Sequence, residues 1–146
     1  MGKIVVFDID GTLADMEHRR HWVANKPKNW PAFNAGMSRD TTHDDIVELA
    51  QLFSSLGHTV VICSGRGEEN RDVTEKWLHD NSVPFVQLYM RSLKDYRQDS
   101  IVKVELLAQI REQHGDPWLW FDDRQQVVDA IRAEGIRVLQ VAPGDF

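Results

Sequence analysis

The chain has 146 residues, 42% hydrophobic and 27% charged, enough to bury one core and too apolar for a disordered polymer. A single cysteine excludes an intrachain disulfide framework and a multi-cysteine zinc site. The longest apolar runs, such as Ile4-Val5-Val6-Phe7, fall far short of the roughly 20 residues a membrane-crossing helix needs. The formal charge of −6 argues against gripping long stretches of duplex through many phosphate contacts, although one small basic pocket is compatible with it.

Met1-Gly2-Lys3 runs directly into the first apolar segment, which leaves no room for a signal peptide. Val6 stands where a myristoylation pattern requires Ser or Thr, so the expected compartment is the cytoplasm.

Taken in chain order, residues 3–7 read as a first strand. Residues 14–40 break the pattern with Pro27, Pro31, Gly36, two tryptophans and several charges, and are expected to form a long excursion with one short helix after Asp15. Ile46, Leu49, Ala50 and Phe53 recur at helical spacing, and Thr42 with Asp45 resembles a capping box. A second strand covers 58–63, and Val73, Trp77 and Leu78 mark the next helix. A strand at 84–89 precedes a helix carrying Val102, Leu106, Leu107 and Ile110. A strand at 118–121 precedes one carrying Val127, Val128 and Ile131, stopped by Gly135, and residues 136–142 form the last strand.

The strands are near-continuous hydrophobic runs, as in a sheet covered on both faces. The alternation therefore predicts a Rossmann-like, doubly wound α/β fold. It has a mainly five-stranded parallel sheet, helices on both faces and no large cap, in a single domain spanning 1–146.

Ligands of open parallel sheets bind beyond the carboxyl ends of the strands. After the first strand come Asp8-Ile9-Asp10-Gly11-Thr12, after the second Ser64-Gly65-Arg66, and after the fourth Asp122-Asp123-Arg124. Lys103 opens the helix before that strand. Asp8 and Asp10 are two residues apart, so in extended chain their carboxylates share a side and repel unless a cation or proton intervenes. A bound metal ion keeps Asp8 ionised and nucleophilic, while like charge raises the pKa of its neighbour and holds it protonated as a general acid. Gly11 permits close backbone approach to an anion. Asp123 or Asp122 completes an oxygen-rich site suited to Mg²⁺. Ser64 and Lys103 are placed to hold phosphoryl oxygens, and Arg66 offers a second anionic contact.

These residues, in this order, resemble the four motifs of the haloacid dehalogenase-like phosphohydrolases, over essentially the whole chain. The spacing of Arg91, Asp95, Arg97, Asp99 and Lys103, the ending Gln140-Val141-Ala142-Pro143-Gly144-Asp145-Phe146, and Arg19 eleven residues after Asp8 resemble the 3′-phosphatase domain of phage-type polynucleotide kinases. The resemblance implies that Asp8 forms an aspartyl-phosphate and that Asp10 protonates the leaving alkoxide and then activates water. It implies Mg²⁺ held by the Asp8 carboxylate, the Asp10 backbone carbonyl and Asp123, with Asp122 orienting a metal-bound water. Thr12, Arg19, Ser64, Gly65, Arg66, Arg91, Arg97 and Asp99 are then the substrate-binding candidates.

The expected substrates are phosphorylated nucleic acid ends, above all 3′-phosphates. The alternatives are a 5′(3′)-nucleotidase or small-phosphomonoester phosphatase, and an inactive scaffold that binds nucleic acid or protein. No P-loop pattern occurs, so 5′-kinase activity is expected to be absent.

Trp22, Trp30 and Phe33, interspersed with Arg19, Arg20, Lys26 and Lys28, suit either packing or base stacking, with packing the more frequent use of such rings. Asp95 reads as structural, Trp118 and Trp120 as core, and Cys63 as a small buried hydrophobe. The histidines show no metal-ligand spacing.

Overall fold

The structure, a computed structural model, describes residues 2–146. Five parallel strands form the central sheet: β1 (Ile4–Phe7), β4 (Thr59–Gly67), β5 (Gln87–Arg91), β6 (Leu119–Asp122) and β7 (Val138–Gln140), in the order β5-β4-β1-β6-β7. β1 is thus central, with the chain wound outward on either side of it. Along β1, Val5, Val6 and Phe7 are completely buried because both faces are covered.

Alternation along each strand sends residues to two separate cores. Val5, Phe7, Val60 and Ile62 pack with α3 (Asp44–Ser55) and α4 (Arg71–Asp80) through Val47, Ala50, Trp77 and Leu78. Val6, Val61 and Trp120 pack with α5 (Asp99–His114) and α6 (Gln125–Ala133) through Leu107, Ile110, Val128 and Ile131. Phe7 and Phe121 stack with ring centroids 4.6 Å apart, locking the adjacent strands on one face.

The excursion is more ordered than its composition predicts. Ala14–Asp15 (β2) pairs antiparallel with Thr41–Thr42 (β3), pinning both ends of the segment. Between them lie two helices instead of one: α1 (Glu17–Ala24) and α2 (Trp30–Ala35), the latter capped by Asn29 accepting from the Ala32 amide. Met16, Val23 and Phe33 form a third, small core beneath them, joined by Phe146.

Three further expectations are corrected. The Thr42/Asp45 capping box does not form. The N-cap of α3 is His43, the Thr42 hydroxyl is bonded to Asp44, and Asp45 accepts from the Ile46 amide. Trp118 precedes β6 and is 40% exposed, packed beside Phe53 and His58, whereas Trp120 is fully buried. β4 extends four residues past its apolar run, carrying Ser64 and Arg66 on the strand itself.

Candidate active site

Strand register builds the site. Phe7 pairs with Ile62 on one side and with Phe121 on the other, so the residues that follow, Asp8, Cys63-Ser64 and Asp122, emerge at one level. Lys103 lies one turn into α5 and points inward, only 1% exposed. Its Nζ donates to Asp8 Oδ1 and to Asp122 Oδ2, each at 2.8 Å. The Thr12 hydroxyl donates to the other oxygen of Asp8 at 3.1 Å. Asp122 accepts four bonds: Lys103 and the Trp120 indole on Oδ2, and the Asp123 and Arg124 amides on Oδ1.

One oxygen from each of Asp8, Asp122 and Asp123 lies within 4.8 Å of the others. Burial pushes the Asp8 carboxyl well above its usual range. Asp122 adds to that, and Lys103 opposes it. Burial and then Asp122 raise Asp123 to about 6. Burial alone would lower Lys103, but Asp122 and Asp8 hold it well above the ordinary lysine value. Three buried carboxylates against one ammonium leave excess negative charge, and all their donor atoms are hard oxygens. The donor set therefore fits a divalent cation such as Mg²⁺.

Asp10 does not share this cluster. Its Oδ1 is 2.7 Å from Arg66 Nη2 and 2.7 Å from Arg19 Nη2, and its Oδ2 accepts from Arg66 Nε at 3.2 Å. Burial works to raise its pKa, yet the two guanidinium charges, Arg66 first, bring it down to about 2. The expectation of an Asp10 held protonated beside Asp8 is therefore corrected. β1 ends at Phe7, the turn separates the two side chains, and two cations keep Asp10 ionised. Its carboxylate is likewise outside the three-oxygen cluster.

Asp40 underlies that arrangement and was not a sequence candidate. Its fully buried carboxylate receives Arg19 Nε at 2.8 Å and Nη2 at 2.6 Å, and His18 Nε2 at 2.7 Å. Arg19 also donates to the Phe33 carbonyl, and its guanidinium lies 4.1 Å over the Phe33 ring. Arg66 completes its own set on the Thr74 hydroxyl. Nothing in the local pattern marks Asp40, because its partner is 21 positions away and the pairing exists only once β2 and β3 close the excursion.

A cavity of about 690 Å³ opens above these carboxylates, walled by Asp8, Asp10, Arg66, Lys103 and the Asp122-Asp123-Arg124 segment among others. Gly65 lines it, and a Cβ there would sit 1.9 Å from Asp99 Oδ1, so a larger residue has to displace that carboxylate. Gly11 is more constrained: its φ is +84° and a Cβ would meet Asp123 Oδ2 at 2.0 Å.

Thr12, Arg19 and Ser64 are buried and are not among the residues that wall the cavity. Thr12 and Arg19 spend their donors on Asp8, Asp10, Asp40 and Phe33, and Ser64 Oγ accepts the Arg66 amide. Arg91 reaches the cavity wall but donates to the carbonyls of Gly65, Asp95 and Arg97 and to Asp99. Arg97 is half-exposed and paired with Asp95 and Glu105. Asp99 is the first residue of α5 and sits 3.6 Å from Arg124 and 3.9 Å from Lys103.

The chain is similar over its full length to a chain of a Pnkp1/Rnl/Hen1 RNA repair complex, at 30% identity and a TM-score of 0.84. It spans only 44% of that chain, and 48% of a chain in another structure of a Pnkp1/Rnl/Hen1 complex. A class C acid phosphatase from Bacillus anthracis with tungstate bound shares the fold at 17% identity and a TM-score of 0.70, over 99% of this chain and 68% of that one. A haloacid dehalogenase-like hydrolase from Streptococcus pneumoniae shares it at 14% identity and a TM-score of 0.66, over 95% and 84% of the two chains. The family model of the polynucleotide kinase PNKP phosphatase domain matches residues 2–146, and the chain belongs to that family.

Proposed function

We propose that the chain is a Mg²⁺-dependent phosphomonoesterase that removes 3′-phosphates from nucleic acid ends through an aspartyl-phosphate on Asp8. The observation that carries this reading is the single buried cluster in which Lys103 bridges Asp8 and Asp122 at the floor of the open cavity. Family membership and the likeness to a chain of a Pnkp1/Rnl/Hen1 RNA repair complex support nucleic acid ends as the substrate class.

Asp8, held at one oxygen by Lys103 and at the other by Thr12, has its carboxylate fixed for attack on phosphorus. Lys103 offsets negative charge on the transferring phosphoryl group. Asp8 and Asp123 would hold Mg²⁺, with Asp122, already saturated by four donors, fixing Lys103 and the backbone of the loop that carries Asp123. When bound, the ion would supply charge neutralisation for the phosphoryl group.

Asp10 rests as the ionised base, the form needed to take a proton from the water that hydrolyses the phospho-enzyme. Its acid form requires a proton taken up from solvent as a phosphate dianion enters, whose charge opposes Arg19 and Arg66 and favours the protonated carboxyl. Arg19 and Asp40 act as positioning residues for this group.

A phosphate-release panel with Mg²⁺ and with EDTA tests the reading, using a 3′-phosphorylated oligonucleotide, a 5′-phosphorylated one and mononucleotides. Metal-dependent release from the 3′-phosphorylated strand is expected to be fastest. Preference for mononucleotides would overturn the end-processing assignment in favour of a nucleotidase.

A further inference from the structure

The cavity wall carries two large aromatic side chains that contribute little to the core. Trp30 is 42% exposed and Tyr96 is 90% exposed, and both line the cavity. They come from separate segments, α2 in the excursion and the connection between β5 and α5.

Both are held on prepared supports. Trp30 packs edge-on against Phe33 with ring centroids 5.6 Å apart, Phe33 lies under the Arg19 guanidinium, and Arg19 bonds Asp10. Trp30 is therefore tied through three contacts to the carboxylate that flanks the reaction centre. Around Tyr96, Arg91 Nη1 donates to the carbonyls of both Asp95 and Arg97, and Arg97 pairs with Asp95 and Glu105. The backbone on either side of the tyrosine is fixed while its ring stays in solvent.

The charge beside Trp30 points the same way. Lys28 Nζ lies 5.6 Å from its ring centroid. Arg124 lines the same cavity, and burial, followed by the positive charges of Arg124 and Lys26, lowers the pKa of Lys28, in a chain whose formal charge is −6. Exposed aromatic faces beside clustered cations are the recognition surface of single-stranded nucleic acid, where bases stack and lysines meet phosphates.

We infer that Trp30 and Tyr96 are the nucleobase contacts for the last nucleotides of a single-stranded 3′-phosphorylated strand, with Lys28 against its phosphodiester backbone. The pair selects oligonucleotides over small phosphomonoesters and open ends over blunt duplex, whose stacked interior bases present no free face. This rests on the proposed 3′-phosphatase reading and names its substrate more narrowly.

The test compares kcat/KM on a single-stranded 3′-phosphorylated hexanucleotide with that on p-nitrophenyl phosphate, for wild type, Trp30→Ala, Tyr96→Ala and the double variant. The ratio is expected to fall by on the order of tenfold or more per ring, chiefly through KM for the oligonucleotide. Trp30→Phe and Tyr96→Phe, which keep a stacking face, are expected to restore most of it. In a second arm, a 3′-hydroxyl hexanucleotide should competitively inhibit p-nitrophenyl phosphate hydrolysis by the wild type and do so more weakly for the alanine variants. An unchanged ratio and unchanged inhibition in the double variant would overturn the inference. A wild type that ignores the 3′-phosphorylated strand would instead overturn the 3′-phosphatase reading, and the inhibition arm would still decide whether the two rings bind bases.

Discussion

The carboxylate of Asp123 is expected to destabilise the metal-free protein, and replacing it with asparagine should show this directly. Asp123 is 4% exposed, lies against Asp122 and Asp8, and is raised to about 6 from an unfolded value of about 3.9. A raised carboxyl binds its proton more tightly folded than unfolded. Folding stability therefore falls as pH rises through the window from about 4 to about 6, and stays lowered above it. Two pKa units correspond to about 3 kcal/mol at pH 8. Asp123→Asn removes the charge at nearly constant shape. In EDTA at pH 8 it should raise the melting temperature by up to about 6–12 °C, while at pH 4.5 the gain should largely vanish. Mg²⁺ should stabilise the wild type at pH 8 and the variant far less, because the cation relieves the same repulsion. Phosphate release should collapse in the same variant. Thermal melts at the two pH values, with EDTA and with Mg²⁺, read all of this. A variant no more stable than wild type at pH 8 in EDTA would refute the reasoning, since it would mean that Asp123 is compensated within the fold and is not held for a cation.

Three other perturbations test the remaining parts of the site. Asp8→Asn should abolish turnover while leaving the circular dichroism spectrum unchanged, and substantial residual phosphate release would rule out covalent catalysis at this position. Arg19→Met strips Asp10 and Asp40 of a buried cation, with an expected loss of about 3–5 kcal/mol in denaturant unfolding, and a loss under about 1 kcal/mol would show that Arg66 and His18 suffice. Gly65→Ala places a Cβ 1.9 Å from Asp99 Oδ1 and must displace that carboxylate from Arg91, Lys103 and Arg124. A large fall in kcat on p-nitrophenyl phosphate is expected with little change in melting temperature, and near-wild-type kcat would show Asp99 to be dispensable.

Much of the site was legible because its members sit at strand ends and helix starts, where local pattern fixes position. The apolar run ending at Phe7 announces Asp8, the run ending at Phe121 announces Asp122 and Asp123, and the helical spacing of Val102, Leu106 and Leu107 places Lys103 close to the buried face of α5. Ser64, Thr12 and Arg19 were found by motif, yet which atoms they address was not legible. Thr12 turns to Asp8, Ser64 to the Arg66 amide and Arg19 to Asp10 and Asp40. Spacing names a residue without saying which neighbour its hydrogen bonds satisfy.

The protonation of Asp10 shows the limit most clearly. Two aspartates separated by one residue suggest mutual repulsion, and in an extended strand that would hold. The chain instead turns after Phe7, and the closure of β2 on β3 carries Arg19 and Asp40 to one side of Asp10 while β4 brings Arg66 from 56 positions away. Amino-acid order alone therefore determined the alternating α/β architecture and which carboxylates stand at the strand ends along one sheet edge, because each depends on periodicity and on the ends of local elements. Only the tertiary structure decided which carboxylates stay charged, which arginines are already committed and which aromatic rings remain open. A pKa and a hydrogen bond depend on the atoms that surround a group, and distant segments supply those atoms only when the chain has folded.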